Sequence, residues 1–215
     1  MNDQRKALKD AAKIVAAPWA ESAYYDDAER WTHLFWRPES RFRQLFDRLD
    51  LSATLELACG WGRHAAEVAP KAGVLTLMDV FDANLKKCRT RLKAYSNVRY
   101  VKGGGFDFAP VKADTQTAIF CYDAMVHFSP DIVGAYLRDA ARVLRPGGMM
   151  LTHHSNYDAP DDRHYGQNPH ARNRMTLSLF ATFASAAGLE LIESKPMPWG
   201  GVEDLDALSL VRRPG

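Results

Sequence analysis

The sequence predicts an α/β fold: a seven-stranded, mostly parallel sheet with an antiparallel last strand, helices on both faces, and an N-terminal cover of helices and aromatic residues. Three observations predict it. From residue 53 onward, short apolar runs alternate with helical patterns, as they do where parallel strands are joined by crossover helices. The first apolar run ends in a tight turn, Ala58-Cys59-Gly60-Trp61-Gly62, that opens on an alanine-containing helical stretch. The last two apolar runs are separated only by Pro196 to Asp204. That leaves no room for a crossover helix, so these two strands must pair antiparallel.

Residues 1–22 read as a short helix with Leu8, Ala12 and Val15 on one face, ended near Pro18, whose ring cannot continue it. Tyr24-Tyr25-Asp26-Asp27, Trp31, Phe35, Trp36 and Pro38 follow, then a helical stretch holding Phe42, Leu45, Phe46 and Leu49. So many aromatic residues ahead of the first strand describe a cover, residues 1–50, over the mouth of the sheet; simple core filling is the plainer alternative. Strands are expected at 53–58, 74–78, 97–102, 117–122, 148–154, 189–195 and 206–212, and helices at 63–72, 82–94, 130–143 and 176–187. This second part, 51–215, includes a polar segment at 155–175 with Asp158, Asp161, Asp162, Arg163, His164, Tyr165 and His170. Loops of that length are usually functional or disordered, and the histidines and tyrosine argue against disorder.

Composition narrows the classes. At 215 residues with 47% hydrophobic and 25% charged side chains, the chain can bury a full core. A net charge of +2, without basic runs interleaved with aromatics, excludes nucleic acid as the expected partner. Cys59, Cys88 and Cys121 lack metal-ligand spacing and read as small core residues. No apolar run reaches membrane-spanning length and the N-terminus has no signal-like apolar region, so a cytoplasmic protein without a membrane partner is expected, as monomer or homodimer.

The glycine turn carries the chemistry. A strand that bends sharply into a helix needs small residues there, and Gly60 and Gly62 let a ligand approach bare backbone beside the free N–H groups of the helix start. Glu56 sets a carboxylate at the same mouth. A dinucleotide would want a third glycine, and its pyrophosphate would be repelled by Glu56; a cofactor with a cationic end suits this acid better. Asp79, about twenty residues past the turn, can accept hydrogen bonds from a ribose diol, and Val80 and Phe81 offer an apolar surface to a base. Asp82 is expected to cap the helix that follows.

The string Glu56-x-Ala58-x-Gly60-x-Gly62 resembles the first motif, commonly acid-x-Gly-x-Gly-x-Gly, of class I (Rossmann-like) S-adenosylmethionine-dependent methyltransferases, with Ala58 in place of the first glycine. Arg142-Val143-Leu144-Arg145-Pro146-Gly147-Gly148 resembles the turn before that family's fifth strand. The resemblance covers roughly residues 50–155. It implies S-adenosylmethionine as cofactor, held by Glu56, Ala58, Gly60, Gly62, Asp79, Val80 and Phe81, with Tyr122 and Asp123 at the end of the fourth strand. The family commonly reads adenine with an acid or amide after the third strand. Here that turn is glycine-rich, so backbone groups of Gly104, Gly105 and Phe106 are expected in that role. A Rossmann-type nicotinamide or flavin oxidoreductase and a non-catalytic S-adenosylmethionine-binding module are the alternatives.

Ligands of open α/β sheets lie outside the carboxyl ends of the strands. Strand four brings Asp123 and His127 there, and strand five brings His153, His154, Ser155 and Asn156. Methyl transfer gains from alignment, and a hydroxyl acceptor also gains from a base. His153 or His154 is the first candidate, only one of them facing the pocket because strand residues alternate; His127 is the second. Each has a structural, hydrogen-bonded role as its alternative. Tyr24, Tyr25 and Trp36 of the cover, with Asn156, Arg172 and Arg174, are expected to bind the substrate, the arginines through a phosphate or carboxylate. A loose resemblance at His153–Asn156 and Asn173–Thr176 suggests a small polar acceptor, a sugar-like or natural-product hydroxyl. No spacing motif supports a metal, and none is expected.

Overall fold

The computed structural model describes residues 2–160 and 163–215; Asp161 and Asp162 of the polar segment lie outside the described residues. Its strands are β1 (Ala53–Leu57), β2 (Val74–Asp79), β3 (Val98–Lys102), β4 (Gln116–Cys121), β5 (Leu144–Ser155), β6 (Glu190–Trp199) and β7 (Val202–Arg212). Its helices are α1 (Asn2–Ala16), α2 (Tyr24–Glu29), α3 (Thr32–Phe35), α4 (Arg41–Phe46), α5 (Arg63–Val68), α6 (Asp82–Arg91), α7 (Pro130–Val143) and α8 (Leu177–Ala186). The strands form one sheet in the order β3-β2-β1-β4-β5-β7-β6. Neighbours from β3 through β5 pair parallel, and β7 runs antiparallel between β5 and β6. The chain winds outward from β1 to β3 and then returns to β4. Strand order therefore reverses between β1 and β4, which is where open sheets form their ligand crevice.

Both faces of the sheet are covered. On one, α1, α7 and α8 pack on Leu55, Leu57, Ile119 and Met150; on the other, α4, α5 and α6 pack on Leu75, Leu77, Ala118 and Phe120. Such fully buried leucine and isoleucine side chains each contribute about 1.5–3 kcal/mol. This two-sided burial is why the strands read as continuous apolar runs rather than alternating ones.

Several boundaries differ from expectation, each for a local reason. α5 stops at Val68 rather than 72 because Pro70 cannot continue it. Asp82 does not cap α6: its carboxylate pairs with Lys102, while Asp79 Oδ1 accepts the Phe81 N–H at 2.9 Å. The Pro196–Asp204 connection shrinks to Gly200-Gly201, whose φ values of 57° and 83° suit a two-residue hairpin, so both strands lengthen into it. Pro196 and Pro198 are tolerated because β6 is an edge strand. The Arg145-Pro146-Gly147-Gly148 string is absorbed as an irregularity at the start of β5, where pairing jumps from Gln116↔Leu144 to Ala118↔Met149.

Residues 2–49 precede the first strand. Ala12 and Val15 of α1 are buried with the first core cluster, and Trp36, Phe42 and Phe46 with the second. Polar ties fasten this segment: Arg63 Nη1 donates to the Ala28 carbonyl at 2.7 Å, and Arg91 pairs with Glu29 at 2.7 Å. Among the described residues no helix is long and apolar enough to cross a membrane.

Candidate active site

Between β1 and α5 the backbone adopts left-handed conformations at alternate residues: Ala58 (φ 55°), Gly60 (φ 53°) and Gly62 (φ 78°). The bend opens a cavity of about 1020 Å³, counting its mouth. Glu56, Ala58 and Gly60 form its floor, Asp79, Val80 and Phe81 one side, and Gly103 and Gly105 the far end. Tyr122, Asp123 and His127 close the β4 side, and Trp19, Tyr24 and Tyr25 close the top.

Two of the glycines serve the cover directly. A Cβ on Gly60 would stand 2.9 Å from Tyr25 Cε1, and one on Gly105 would stand 2.8 Å from the Cβ of Ala12. Bare backbone here lets the N-terminal segment close on the cavity. Tyr25 also stacks on Trp61 with ring centroids 5.2 Å apart, and its hydroxyl accepts from Asn84 Nδ2 at 3.1 Å.

The polar groups of the cavity fit a nucleoside with a zwitterionic tail. Glu56 is buried, its Oε2 has no hydrogen-bond partner among the described residues, and burial pushes its carboxyl well above the usual range. His64 Nδ1 accepts the indole N–H of Trp36 at 3.0 Å, so Nε2 carries the ring proton; it too is buried without a partner among the described residues. An unpaired acceptor and an unpaired donor thus line one cavity, and buried polar groups are rarely left so. A ligand with an ammonium and a carboxylate supplies both missing partners. Asp79 accepts from the Gly60 N–H at 2.9 Å, the Phe81 N–H at 2.9 Å and Asn84 Nδ2 at 3.1 Å. Two carboxylate oxygens offer about four lone-pair sites, so capacity remains for a hydroxyl.

The expected site residues divide. Glu56, Ala58, Gly60, Asp79, Val80, Phe81, Gly105, Tyr122, Asp123, His127, Tyr24 and Tyr25 line the cavity. Gly62, at the start of α5, lies outside its lining, as do Gly104 and Phe106; Gly103 stands where Gly104 was expected, and Phe106 is buried in the first core cluster under Arg5. Trp36 is committed to the core and to His64. Asn156 donates to the Asp204 carbonyl and accepts from the Leu177 N–H, and Arg174 lies 3.4 Å from Asp158, both away from the cavity.

The histidines expected as bases on β5 are not at the cavity. His154 faces the helical layer, its ring stacked on Phe180 at 4.1 Å, with Nδ1 bonded to the Ser155 carbonyl and Nε2 to the Ser209 hydroxyl. His153 lies on the other face but is fully enclosed. Its Nδ1 accepts the Asp123 N–H at 3.1 Å and its Nε2 donates to Asp206 at 2.9 Å, so neither nitrogen is free for a substrate proton. Arg172, expected on the substrate, is buried against Asp206 at 2.8 and 2.5 Å. His127 is placed differently. Its Nδ1 faces the Ala171 carbonyl at 2.8 Å and therefore donates, which leaves Nε2 as the acceptor; burial lowers its pKa to about 4 against that hydrogen bond.

Trp19, Arg63, His64 and Asp206 escaped the sequence reading. Arg63 and His64 directly follow Gly62 and had a positional signal. Arg63 Nη2 reaches Asp123 at 2.7 Å, and the Tyr24 hydroxyl donates to the same carboxylate. Trp19 lies over His127 with ring centroids 4.4 Å apart. Asp206 had none, since its partners are 34 and 53 residues away. Among the described residues no group of three or more metal-ligating side chains comes together.

Residues 54–148 match the family described as a methyltransferase domain. The chain is 34% identical over 121 residues to methyltransferase GfsG of Streptomyces halstedii, and 28% identical over 116 residues to demethylmenaquinone methyltransferase of Tropheryma whipplei. Each alignment takes in 52% of this chain but 42% and 46% of those relatives, so the match spans less than half their length. The fold is similar to that of geranyl diphosphate C-methyltransferase from Streptomyces coelicolor A3(2), with a TM-score of 0.64 at 14% identity over 80% of this chain and 77% of that one. Residues 54–148 are thus similar to a methyltransferase domain, and the sheet built around them has the Rossmann-like fold of the S-adenosylmethionine-dependent methyltransferases that the sequence resembles.

Proposed function

We propose that the chain catalyses methyl transfer to the hydroxyl of a small-molecule acceptor. The observation that carries this reading is the pairing of two orphaned groups, Glu56 Oε2 and His64 Nε2, in a cavity that also holds Asp79. Glu56 receives the ammonium of the cofactor's amino-acid end, His64 donates to its carboxylate, and Asp79 accepts from the ribose. Val80 and Phe81 flank the base, with the backbone of Gly103 and Gly105 beside them. S-adenosylmethionine held by these residues would supply a methyl carbon on a sulfonium for transfer to an acceptor oxygen, leaving as the neutral thioether S-adenosylhomocysteine.

The remaining residues orient and exclude. His127, with Nδ1 held by the Ala171 carbonyl, presents Nε2 as the acceptor for the hydroxyl proton, and its lowered pKa keeps it unprotonated at neutral pH. Asp123 fixes Tyr24 and Arg63 where the cover meets the sheet. Residues 1–50 act as a cover that keeps water from the reacting atoms, and 51–215 as the unit that holds the cofactor. A relative named demethylmenaquinone methyltransferase is consistent with a small-molecule acceptor.

Calorimetric titration with S-adenosylmethionine and S-adenosylhomocysteine, followed by an acceptor screen with a labelled methyl donor, tests this function. Binding of both ligands and label transfer to a small molecule are expected. Failure of both ligands to bind overturns the reading, and binding without transfer to any acceptor leaves a non-catalytic binding module.

A further inference from the structure

A second cavity, about 1220 Å³ with its mouth, opens beside the first and shares Tyr24, Arg63 and Tyr122 with it. Its walls are apolar and come from distant parts of the chain: Trp31, Leu34 and Phe35 before β1, Met197 and Trp199 at the end of β6, and Leu208 on β7. Phe35 and Trp199 lie nearly parallel, 14° apart with centroids at 6.0 Å, and make one continuous aromatic surface. Trp31 stands at 54% exposure, which is unusual for an indole without a partner surface. Much of the polar wall is engaged, Arg63 with Asp123, Arg41 Nη2 with Glu193, and the Ser40 hydroxyl with the Phe35 carbonyl, while Arg41 Nε is left without a partner among the described residues. His170 of the polar segment closes one side, so near Gly200 that a Cβ there would lie 2.0 Å from its Nε2.

We propose that this second cavity is the acceptor site and that it takes a hydroxyl compound with a flat, ring-built, apolar body. The proposal rests on the methyl-transfer reading above, and it departs from the sugar-like acceptor that the sequence suggested. A sugar would bring several hydroxyls against a wall that is mostly aromatic and aliphatic carbon and has few open polar groups, leaving most of those hydroxyls unpaired. An apolar ring needs no such partners and gains from the burial. Its hydroxyl passes between Tyr24 and Arg63, where the cavities meet, into the first cavity that Asp123 and His127 line, so the ring stays in the aromatic wall while the oxygen faces the cofactor and His127.

The test is calorimetric binding to the full chain saturated with S-adenosylhomocysteine, so that the cofactor cavity is filled. The probes are 1-naphthol and methyl α-D-glucopyranoside. Saturable binding of 1-naphthol and none of the glucoside is expected. Trp199→Ala should weaken 1-naphthol at least about tenfold, and Trp31→Ala about threefold or more, with S-adenosylhomocysteine affinity unchanged within about twofold. Trp199 also carries Arg172 against its ring, so Trp31→Ala, at the exposed rim, provides the variant that folds independently of that contact. Tighter binding of the glucoside, or 1-naphthol binding that neither substitution alters, overturns the proposal. Loss of S-adenosylhomocysteine binding with 1-naphthol binding intact would instead strike the methyl-transfer reading and leave an apolar ligand site.

Discussion

His153 donates its Nε2 proton to Oδ2 of Asp206 across 2.9 Å, joining β5 to β7 in the interior of the sheet edge. Arg172 reaches the same carboxylate through Nε and Nη2, and the Nδ1 of His153 holds the backbone N–H of Asp123. The polar segment, the antiparallel strand and the end of β4 are thereby fixed to one another. Asp123 sits at φ 58°, a conformation that aspartate tolerates better than most residues. The carboxylate is fully buried, so removing its charge strands a buried guanidinium. Asp206→Asn should cost on the order of 3–5 kcal/mol in urea unfolding, and a loss under about 1 kcal/mol would show that Arg172 relaxes to water.

Asp206 also sets an acid limit. Burial alone would raise its pKa, but hydrogen bonds from His153 and Arg172 outweigh that and lower it to about 2. The stabilisation, on the order of 2 kcal/mol, is present above the ordinary carboxylate pKa and lost as pH falls from about 4 towards 2.

The buried histidines lose stability at milder pH. His127 and His154 are both lowered to about 4 by burial, and His64 is lowered well below its usual value for the same reason. The unfolded chain binds these protons first, so their contribution is present above pH 6.5 and is lost as pH falls from 6.5 towards 4. Each of His127 and His154 carries on the order of 3 kcal/mol across that window. Stability measured by urea titration should therefore decline progressively below pH 6.5, and a flat profile down to pH 4.5 would show these imidazoles to be more hydrated than the fold implies. With His127 as proton acceptor, turnover should hold from about pH 8 to pH 5 wherever the protein stays folded.

Glu56 is a buried acid whose proposed role is to receive the cofactor's ammonium. Burial raises its carboxyl pKa, so at neutral pH its charge costs stability until a cation arrives. Glu56→Gln should raise the melting temperature of the ligand-free protein yet weaken S-adenosylmethionine binding about tenfold or more. Unchanged affinity would remove Glu56 from the cofactor.

Ala58 holds a left-handed φ of 55° with its Cβ in place. Relief of that strain makes Ala58→Gly stabilising by about 1 kcal/mol, offset in part by the freer unfolded backbone. Gly60→Ala should do the reverse and also push back Tyr25, seen as faster proteolysis of the first 50 residues and a weaker cofactor complex.

The parallel sheet was legible because burial on both faces writes each strand as an apolar run, and the β6–β7 reversal was legible because nine residues cannot form a crossover. The glycine turn and Asp79 were legible because their requirement is local. Tyr24, Tyr25 and His127 were named from the sequence and line the cavity. His153 and Arg172 were read as substrate-facing because a histidine or arginine near a strand end gives no sign of a carboxylate arriving from Asp206, 53 and 34 residues away. The second cavity was illegible for the same reason: Trp31, Trp199 and Leu208 meet only once the last hairpin folds back beside the cover.

Tyr25 and Ala12 rest on the glycines that floor and end the first cavity, while the second opens between the same N-terminal segment and the last hairpin. On the proposed assignment of the two cavities, donor and acceptor would approach the reacting atoms from different sides of one N-terminal segment, so a change in that segment would be felt by both.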